Sequence, residues 1–142
     1  ELKDAPPLDA VERFDLGGDD GDGADSGLVR FVEQWLGQRD RRRPFFLFVN
    51  VMDAHQPYAV RPENPFVPAD TRREQLEALP QDVHERICDK LPAADTVALL
   101  RGLYLGDVAA ADRKLAAVRR LLAQQGADRD LITVVTADHG EH

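Results

Sequence analysis

The sequence predicts an α/β fold with a mostly parallel sheet, and three observations support this. Residues 45–52 and 131–136 form continuous apolar runs, which are typical of strands covered on both faces. Apolar residues at helical spacing surround these runs. Each run is followed by a polar segment that contains Asp and His. Because two strands cannot form a stable sheet of this kind alone, we expect the 142 residues to be a fragment of a larger domain.

The chain divides into four segments. Residues 1–27 are rich in Gly, Asp and Pro and cannot bury enough apolar surface to offset the entropy of ordering, so we predict a loop or insertion. Residues 28–58 follow as a helix plus a strand, residues 59–94 as a Pro-rich and polar connection, and residues 95–142 as a long helix plus a second strand.

The first predicted helix begins after Ser26, a good N-cap residue. Its apolar stripe has the spacing i, i+3, i+4, i+7 and i+8: Leu28, Phe31, Val32, Trp35 and Leu36. Pro44 then introduces the first apolar run. This run ends in a segment that contains Asp53 and His55.

The long helix is predicted from about Asp95 to Gln125. Its apolar residues are spaced by three or four: Val97, Leu100, Tyr104, Val108, Ala111, Leu115, Val118 and Leu122. Gly102 and Gly106 should weaken its first half. Gly126 is placed to end it, since glycine favours the backbone conformation after a helix.

Asp138 and His139 follow the second run and are the first candidate site. In an open parallel sheet, ligands bind beyond the carboxyl ends of the strands. A carboxylate oxygen and an imidazole nitrogen there provide half of a metal site, with further ligands from elsewhere. The alternative is that Asp138 caps a following turn and His139 is merely exposed.

Asp53 and His55 hold the equivalent place after the first run and are the second candidate site. A histidine there can donate a hydrogen bond to an anionic oxygen or act as an acid toward a leaving group. The alternative is that Asp53 caps the Pro-rich turn and His55 packs against Pro57 or Tyr58. Because both runs end in Asp and His, we favour a functional role.

The excess of acidic residues limits the classes of partner. With 26 Asp and Glu against 18 Lys and Arg, the net charge is -8, which disfavours nucleic acid and anionic membranes as partners. No stretch approaches the ~20 apolar residues of a membrane span. We therefore predict a soluble protein with no membrane segment, and we favour the cytoplasm over secretion. The single cysteine cannot form an internal disulfide, and nothing indicates the oligomeric state.

Two stretches resemble the sulfatase family of the alkaline phosphatase-like superfamily. Residues 44–58 resemble the family's strand-plus-histidine segment, and residues 104–142 are similar to its long helix and metal-binding strand end. The resemblance implies a three-layer α/β/α domain that hydrolyses sulfate esters. The implied substrate is a sulfated, or in related enzymes phosphorylated, small molecule or glycan.

The resemblance also implies roles for individual residues. Asp138 and His139 match the second pair of ligands for a divalent metal, Ca²⁺ in most sulfatases, with Mg²⁺, Mn²⁺ and Zn²⁺ as alternatives. His55 matches the histidine that contacts the sulfate or leaving-group oxygen, and is the one catalytic residue expected here. Glu141 and His142 continue the metal motif and receive no role.

The sequence departs from the family pattern in the nucleophile. Sulfatases have a Cys/Ser-x-Pro-x-Arg motif whose first residue becomes formylglycine, and an earlier pair of acidic metal ligands. Around Cys88, Lys90 and Pro92 stand where Pro and Arg are required, so we interpret Cys88 as an ordinary thiol. We expect the nucleophile and the earlier pair of metal ligands to lie outside this segment, which alone should be inactive.

The missing nucleophile leaves two other interpretations open. One is a phosphodiesterase, phosphonate hydrolase or phosphoryl-group transferase of the same superfamily, since these share the Asp-His-Gly motif and the histidine. The other is a non-catalytic acidic domain in which the remaining site residues are structural.

Overall fold

The structure, a computed structural model, describes residues 26–79 and 92–140. They contain three helices: α1 (Gly27–Gln38), α2 (Arg73–Glu77) and α3 (Ala94–Gln124). Helix α1 packs on the C-terminal half of α3, and residues 58–79 pack on its N-terminal half. Nearly all of the predicted loop at 1–27 lies outside the described residues, as do Cys88, Glu141 and His142.

Helix α1 confirms the predicted cap and the predicted helix. The Ser26 hydroxyl accepts a hydrogen bond from the Val29 N–H at 3.3 Å, which satisfies a backbone donor that the first turn leaves open. Val29, Val32 and Leu36 then become buried. Their partners on α3 are Ala117, Val118 and Leu122.

Helix α3 ends as the sequence predicts. Gly126 has a φ of 65°, a left-handed conformation that glycine adopts without steric cost. Its N–H donates to Ala123 O at 2.9 Å, while the Ala127 N–H donates to Leu122 O at 2.8 Å. These two bonds form a Schellman motif, which satisfies carbonyls of the last turn.

Among the described residues, no helix is both long and apolar enough to cross a membrane.

The predicted fold class is wrong for the described part of the chain, because residues 26–79 and 92–140 contain no strand and no sheet. A strand needs a neighbour that takes its backbone hydrogen bonds. Neither residues 45–52 nor residues 131–136 pair in this way with another described segment. The mostly parallel sheet is therefore replaced by three helices and irregular connections.

The first apolar run is covered on one side only, and the second is covered only at its first residue. Phe45 and Leu47 pack against the cluster between α1 and α3, whereas Phe46 and Phe48, which alternate with them, are largely exposed. In the second run Leu131 packs against the same cluster, and the side chains that follow it are exposed. The apolar composition predicted burial on both sides, whereas the described residues cover one side of the first run and only Leu131 of the second.

The two glycines within α3 allow a close approach rather than only weakening the helix. A Cβ at Gly102 would lie 2.6 Å from the backbone oxygen of Phe66, and one at Gly106 would meet the Asn64 side chain. Asn64 Nδ2 also donates to Gly102 O at 3.0 Å. The Pro-rich connection therefore crosses α3 where the helix has no side chains.

This contact predicts that Gly102→Ala destabilises the protein although alanine favours helices. Alanine gains up to about 1 kcal/mol in helix propensity, whereas overpacking against a backbone costs about 1–3 kcal/mol, so we expect a net loss. Gly37→Ala is the matched control, because a Cβ at that helical position meets nothing within 4 Å. It should stabilise by about 0.5–1 kcal/mol. The midpoints of urea unfolding test both variants. An equal gain in stability for Gly102→Ala and Gly37→Ala would contradict the close approach at Gly102.

Candidate functional site

His55 lies in a turn, and its own side chain meets solvent. The His55 N–H donates to Met52 O at 3.0 Å, and the imidazole is exposed. Its Nδ1 lies 2.6 Å from Gln56 O. Because a carbonyl oxygen only accepts, Nδ1 must carry a proton, so Nε2 bears the lone pair in the neutral ring. When the ring is protonated, Nε2 also carries a proton and can donate a hydrogen bond to a ligand oxygen.

The turn around His55 is attached to α3 on its C-terminal side. Tyr58 is buried in a cluster with Leu76 and Leu103, and its ring contacts that of Tyr104 edge-on at 5.8 Å between centroids. The Ala59 N–H donates to Asp107 Oδ2 at 2.9 Å. The chain that follows His55 is therefore held by both apolar packing and a hydrogen bond to a carboxylate.

Four charged residues with little exposed side-chain surface link this turn to α3, and we call them the ion cluster: Asp53, Arg61, Asp107 and Lys114. Lys114 Nζ lies 2.9 Å from Asp53 Oδ1 and 3.0 Å from Oδ2. Arg61 joins the two carboxylates, through Nη2 to Asp53 at 3.2 Å and through Nε to Asp107 at 2.7 Å. Their side chains are 1–12% exposed. The cluster contains two anions and two cations, so its net charge is zero.

Asp53 is therefore a partner of buried cations rather than a group presented to a ligand. Both of its carboxylate oxygens are engaged by Lys114, and one also by Arg61. Of the two residues predicted at this position, only His55 faces solvent. Asp53 therefore anchors the turn, whereas the imidazole of His55, two residues later, is accessible to a ligand.

No role was predicted from the sequence for three members of the ion cluster: Arg61, Asp107 and Lys114. A usable signal was present for the last two, because seven residues are close to two helical turns and place both on one face of α3. Leu103, Ala110 and Ala117 lie on that same face and are buried. An acid and a base within an apolar face indicate a buried ion pair. The predicted apolar stripe correctly included Leu100, Val118 and Leu122, which are buried. It also included Val97 and Val108, which are exposed.

Burial has the largest effect on the pKa of Asp107. It raises the pKa of this carboxyl above its ordinary value, against the effect of the Ala59 N–H and of Arg61. The neighbouring Asp53 carboxylate adds to the increase. The Ala59 N–H and Arg61 both favour the charged form of Asp107, and together they only partly offset the effect of burial.

Breaking the ion cluster on one side should destabilise the protein strongly. Lys114→Met leaves Asp53 buried with only Arg61 nearby, and removal of one partner from a buried pair costs about 3–5 kcal/mol. We expect a loss near the lower end, because Arg61 still offsets part of the charge. Asp53→Asn/Lys114→Met should recover most of it, since no uncompensated charge remains.

Urea unfolding of the four members of this mutant cycle measures the coupling between Asp53 and Lys114. Arg120→Met is the matched control, because it removes a cation from an exposed position of α3 and should change stability by less than about 0.5 kcal/mol. Additive effects of the two single substitutions would contradict the direct ion pair.

Asp138 and His139 lie together in an exposed segment. The His139 N–H donates to Asp138 Oδ1 at 3.0 Å, the local contact expected of a capping aspartate. His139 Nδ1 lies 2.9 Å from Gly140 O, which requires a proton on Nδ1 and leaves the lone pair of the neutral ring on Nε2. This Nε2 is 3.8 Å from Asp138 Oδ2.

These two atoms fit half of a site for a divalent cation. A carboxylate oxygen and an imidazole nitrogen are both metal ligands, and the hydrogen bond at Nδ1 sets the tautomer that ligation through Nε2 requires. The side chains are 92% and 65% exposed, so a cation can reach them. Within residues 26–79 and 92–140, no group of three or more His, Cys, Asp or Glu side chains is arranged for a metal. His55 is thus not brought into one metal-binding group with them.

Comparison with known proteins identifies the family. The family model described as Sulfatase matches residues 5–142, nearly the whole chain. No curated protein and no solved structure matches the chain. The matched region includes His55, Asp138 and His139, to which the family resemblance assigned roles, and also Asp53. The chain belongs to the sulfatase family, whose members are hydrolases.

Proposed function

We propose that this chain is part of the catalytic domain of a metal-dependent hydrolase that cleaves sulfate esters. Family membership supports the reaction class. The single observation that carries the metal dependence is the pairing of Asp138 Oδ2 with His139 Nε2 at 3.8 Å, in an accessible segment and with the tautomer that ligation requires. The proposed substrate is a sulfated small molecule or glycan.

Asp138 and His139 are proposed to hold the cation through Oδ2 and Nε2. When bound, a divalent cation polarises the sulfuryl group and offsets charge that develops on its oxygens. One carboxylate and one imidazole suit several metals. Ca²⁺ is our first choice, and Mg²⁺, Mn²⁺ and Zn²⁺ are the alternatives that metal analysis would separate.

His55 is proposed to act on the departing oxygen. Since its Nδ1 proton is engaged by Gln56 O, the proton available for transfer is the one on Nε2 of the protonated ring. Donation of this proton neutralises the alkoxide that leaves as the bond between sulfur and oxygen breaks. The nucleophile is proposed to be a formylglycine contributed by residues outside these 142.

The proposal predicts a substrate order for the protein that carries the complete catalytic centre. We expect faster release of 4-nitrophenol from 4-nitrophenyl sulfate than from bis(4-nitrophenyl) phosphate or 4-nitrophenyl phenylphosphonate. Treatment with a chelator should abolish the activity, and Ca²⁺ should restore it. The measurement is kcat/KM for each ester before and after chelation.

Each contrary result has a defined meaning. Preference for the phosphate diester or the phosphonate would replace sulfate ester hydrolysis with a related reaction of the superfamily. Activity that persists in full after metal removal would contradict the role of Asp138 and His139. Absence of hydrolysis and of metal binding together would favour a non-catalytic domain.

A further inference from the structure

The turn that presents His55 is attached to α3 at both ends. On one side Lys114 Nζ holds Asp53, two residues before His55, at 2.9 and 3.0 Å. On the other side Asp107 accepts the Ala59 N–H, four residues after His55, at 2.9 Å. The turn therefore projects from two fixed points on a single helix.

The two attachment points are rigid relative to each other. Asp107 and Lys114 belong to the 31-residue helix α3, and seven residues of helix separate them by about 10 Å along its axis. Both side chains are almost completely buried, at 1% and 3% exposed. Arg61 links the two ends further, because it bonds both Asp53 and Asp107. The base of the turn is therefore defined in position and in orientation.

The orientation of the His55 ring follows from that of the turn. Its Nδ1 bonds to Gln56 O, which belongs to the same turn, so this contact fixes the ring relative to the turn and not directly to the core. The ring is exposed. Its position relative to the rest of the protein is thus transmitted through Asp53 and Ala59 to α3.

The ion cluster is better explained by geometry than by stability. Burial of four ions carries a large desolvation cost, and well-packed apolar residues in place of a buried ion pair are often equally stable or more stable. Charged hydrogen bonds, however, impose direction and distance on the groups they join. A proton donor must be held to within about 0.5 Å of its productive position.

We propose that Lys114 and Asp107 are positioning residues for His55, which they hold in place through Asp53 and through the Ala59 N–H. They do not touch the substrate. The catalytic consequence of this positioning rests on the proposed function of His55, whereas the positioning itself is a property of the fold.

Two variants release opposite ends of the turn. Asp53→Ala/Lys114→Met removes the ion pair and also the oxygen that accepts from Arg61, and it leaves no uncompensated charge because Arg61 still pairs with Asp107. Asp107→Leu removes both acceptor oxygens, so the Ala59 N–H loses its partner on α3, while Arg61 keeps its bond to Asp53. Arg120→Met is the control. Each is prepared in the protein with its complete catalytic centre, and cooperative unfolding confirms that it is folded.

The first readout is ¹⁵N relaxation of the His55 backbone amide, which does not depend on activity. We expect an order parameter near the rigid value of about 0.85 in the wild type and in the control, and a fall toward about 0.6 in both releasing variants. The second readout is kinetic. Misplacement by about 1 Å can cost about 100-fold, so kcat should fall by up to that factor while KM and metal content stay unchanged.

These outcomes separate the inference from the proposed function. An unchanged order parameter in a folded releasing variant would overturn the positioning role at that end. Increased mobility with undiminished kcat would overturn its catalytic importance. If the wild-type protein hydrolyses no ester, the proposed function fails, and the relaxation measurement still decides whether α3 holds His55 in place.

Discussion

Replacement of His139 with alanine is expected to lower the affinity for the divalent cation by at least about 100-fold. Changes to residues that merely support a metal ligand cost about 10–100-fold, so loss of the ligand itself should cost no less. Asp138 alone would remain of the described pair, with one oxygen already accepting the His139 N–H. Turnover should fall in parallel, since the proposed reaction depends on the cation. Metal analysis and calorimetric Ca²⁺ titration measure the first effect, and steady-state kinetics the second.

His55→Asn is the matched control for this experiment. It also removes an exposed imidazole, from a turn that does not share a metal-binding group with Asp138 and His139. Its metal content should equal that of the wild type. If His139→Ala retains both bound metal and turnover, the assignment of Asp138 and His139 as ligands is wrong.

Local signals account for the part of the fold that the sequence predicts correctly. The Ser26 cap and the Gly126 stop depend on backbone chemistry within a few residues, and both are present in the structure. Helices α1 and α3 follow from spacing along one segment. Such features do not depend on which distant part of the chain packs against them.

The sheet depends on information that these local patterns lack. The runs at 45–52 and 131–136 have the composition of buried strands, but a strand exists only where another backbone pairs with it. Phe45 is partly buried whereas Phe46 is exposed, so the described residues cover one side of the first run. Composition alone therefore predicted the wrong secondary structure for these segments.

The candidate site could be predicted where it consists of residues adjacent in the sequence. It could not be predicted where it depends on contacts between residues far apart in the sequence. Asp138 and His139 are neighbours in the chain, so their pairing needs no tertiary information. The contact between Asp53 and Lys114 spans 61 residues. Hydropathy treats a buried lysine or aspartate as surface, and for this reason the ion cluster was missed.

Substitution of His55 is the second change with a large expected effect. The expected loss of kcat depends on the leaving group of the substrate. General acid catalysis contributes about 10²–10⁴-fold, and it matters most when the departing oxygen is strongly basic. An alkyl sulfate releases an alkoxide, which needs a proton, whereas 4-nitrophenyl sulfate releases a stabilised phenolate. His55→Asn should therefore lower kcat by about 10²–10⁴-fold on the alkyl sulfate and much less on the aryl sulfate.

The comparison of two substrates distinguishes proton donation from other roles of His55. Asparagine retains a hydrogen-bond donor of similar reach but cannot transfer a proton at neutral pH. A defect in binding the sulfate group, in contrast, would affect both esters alike, because they share that group. A change in KM shared by both substrates would indicate that His55 binds the sulfate group. Equal losses of kcat on both esters would contradict the acid role. A loss confined to the alkyl sulfate assigns the Nε2 proton to the leaving oxygen, because the two substrates share the same sulfate group and differ in the basicity of that oxygen.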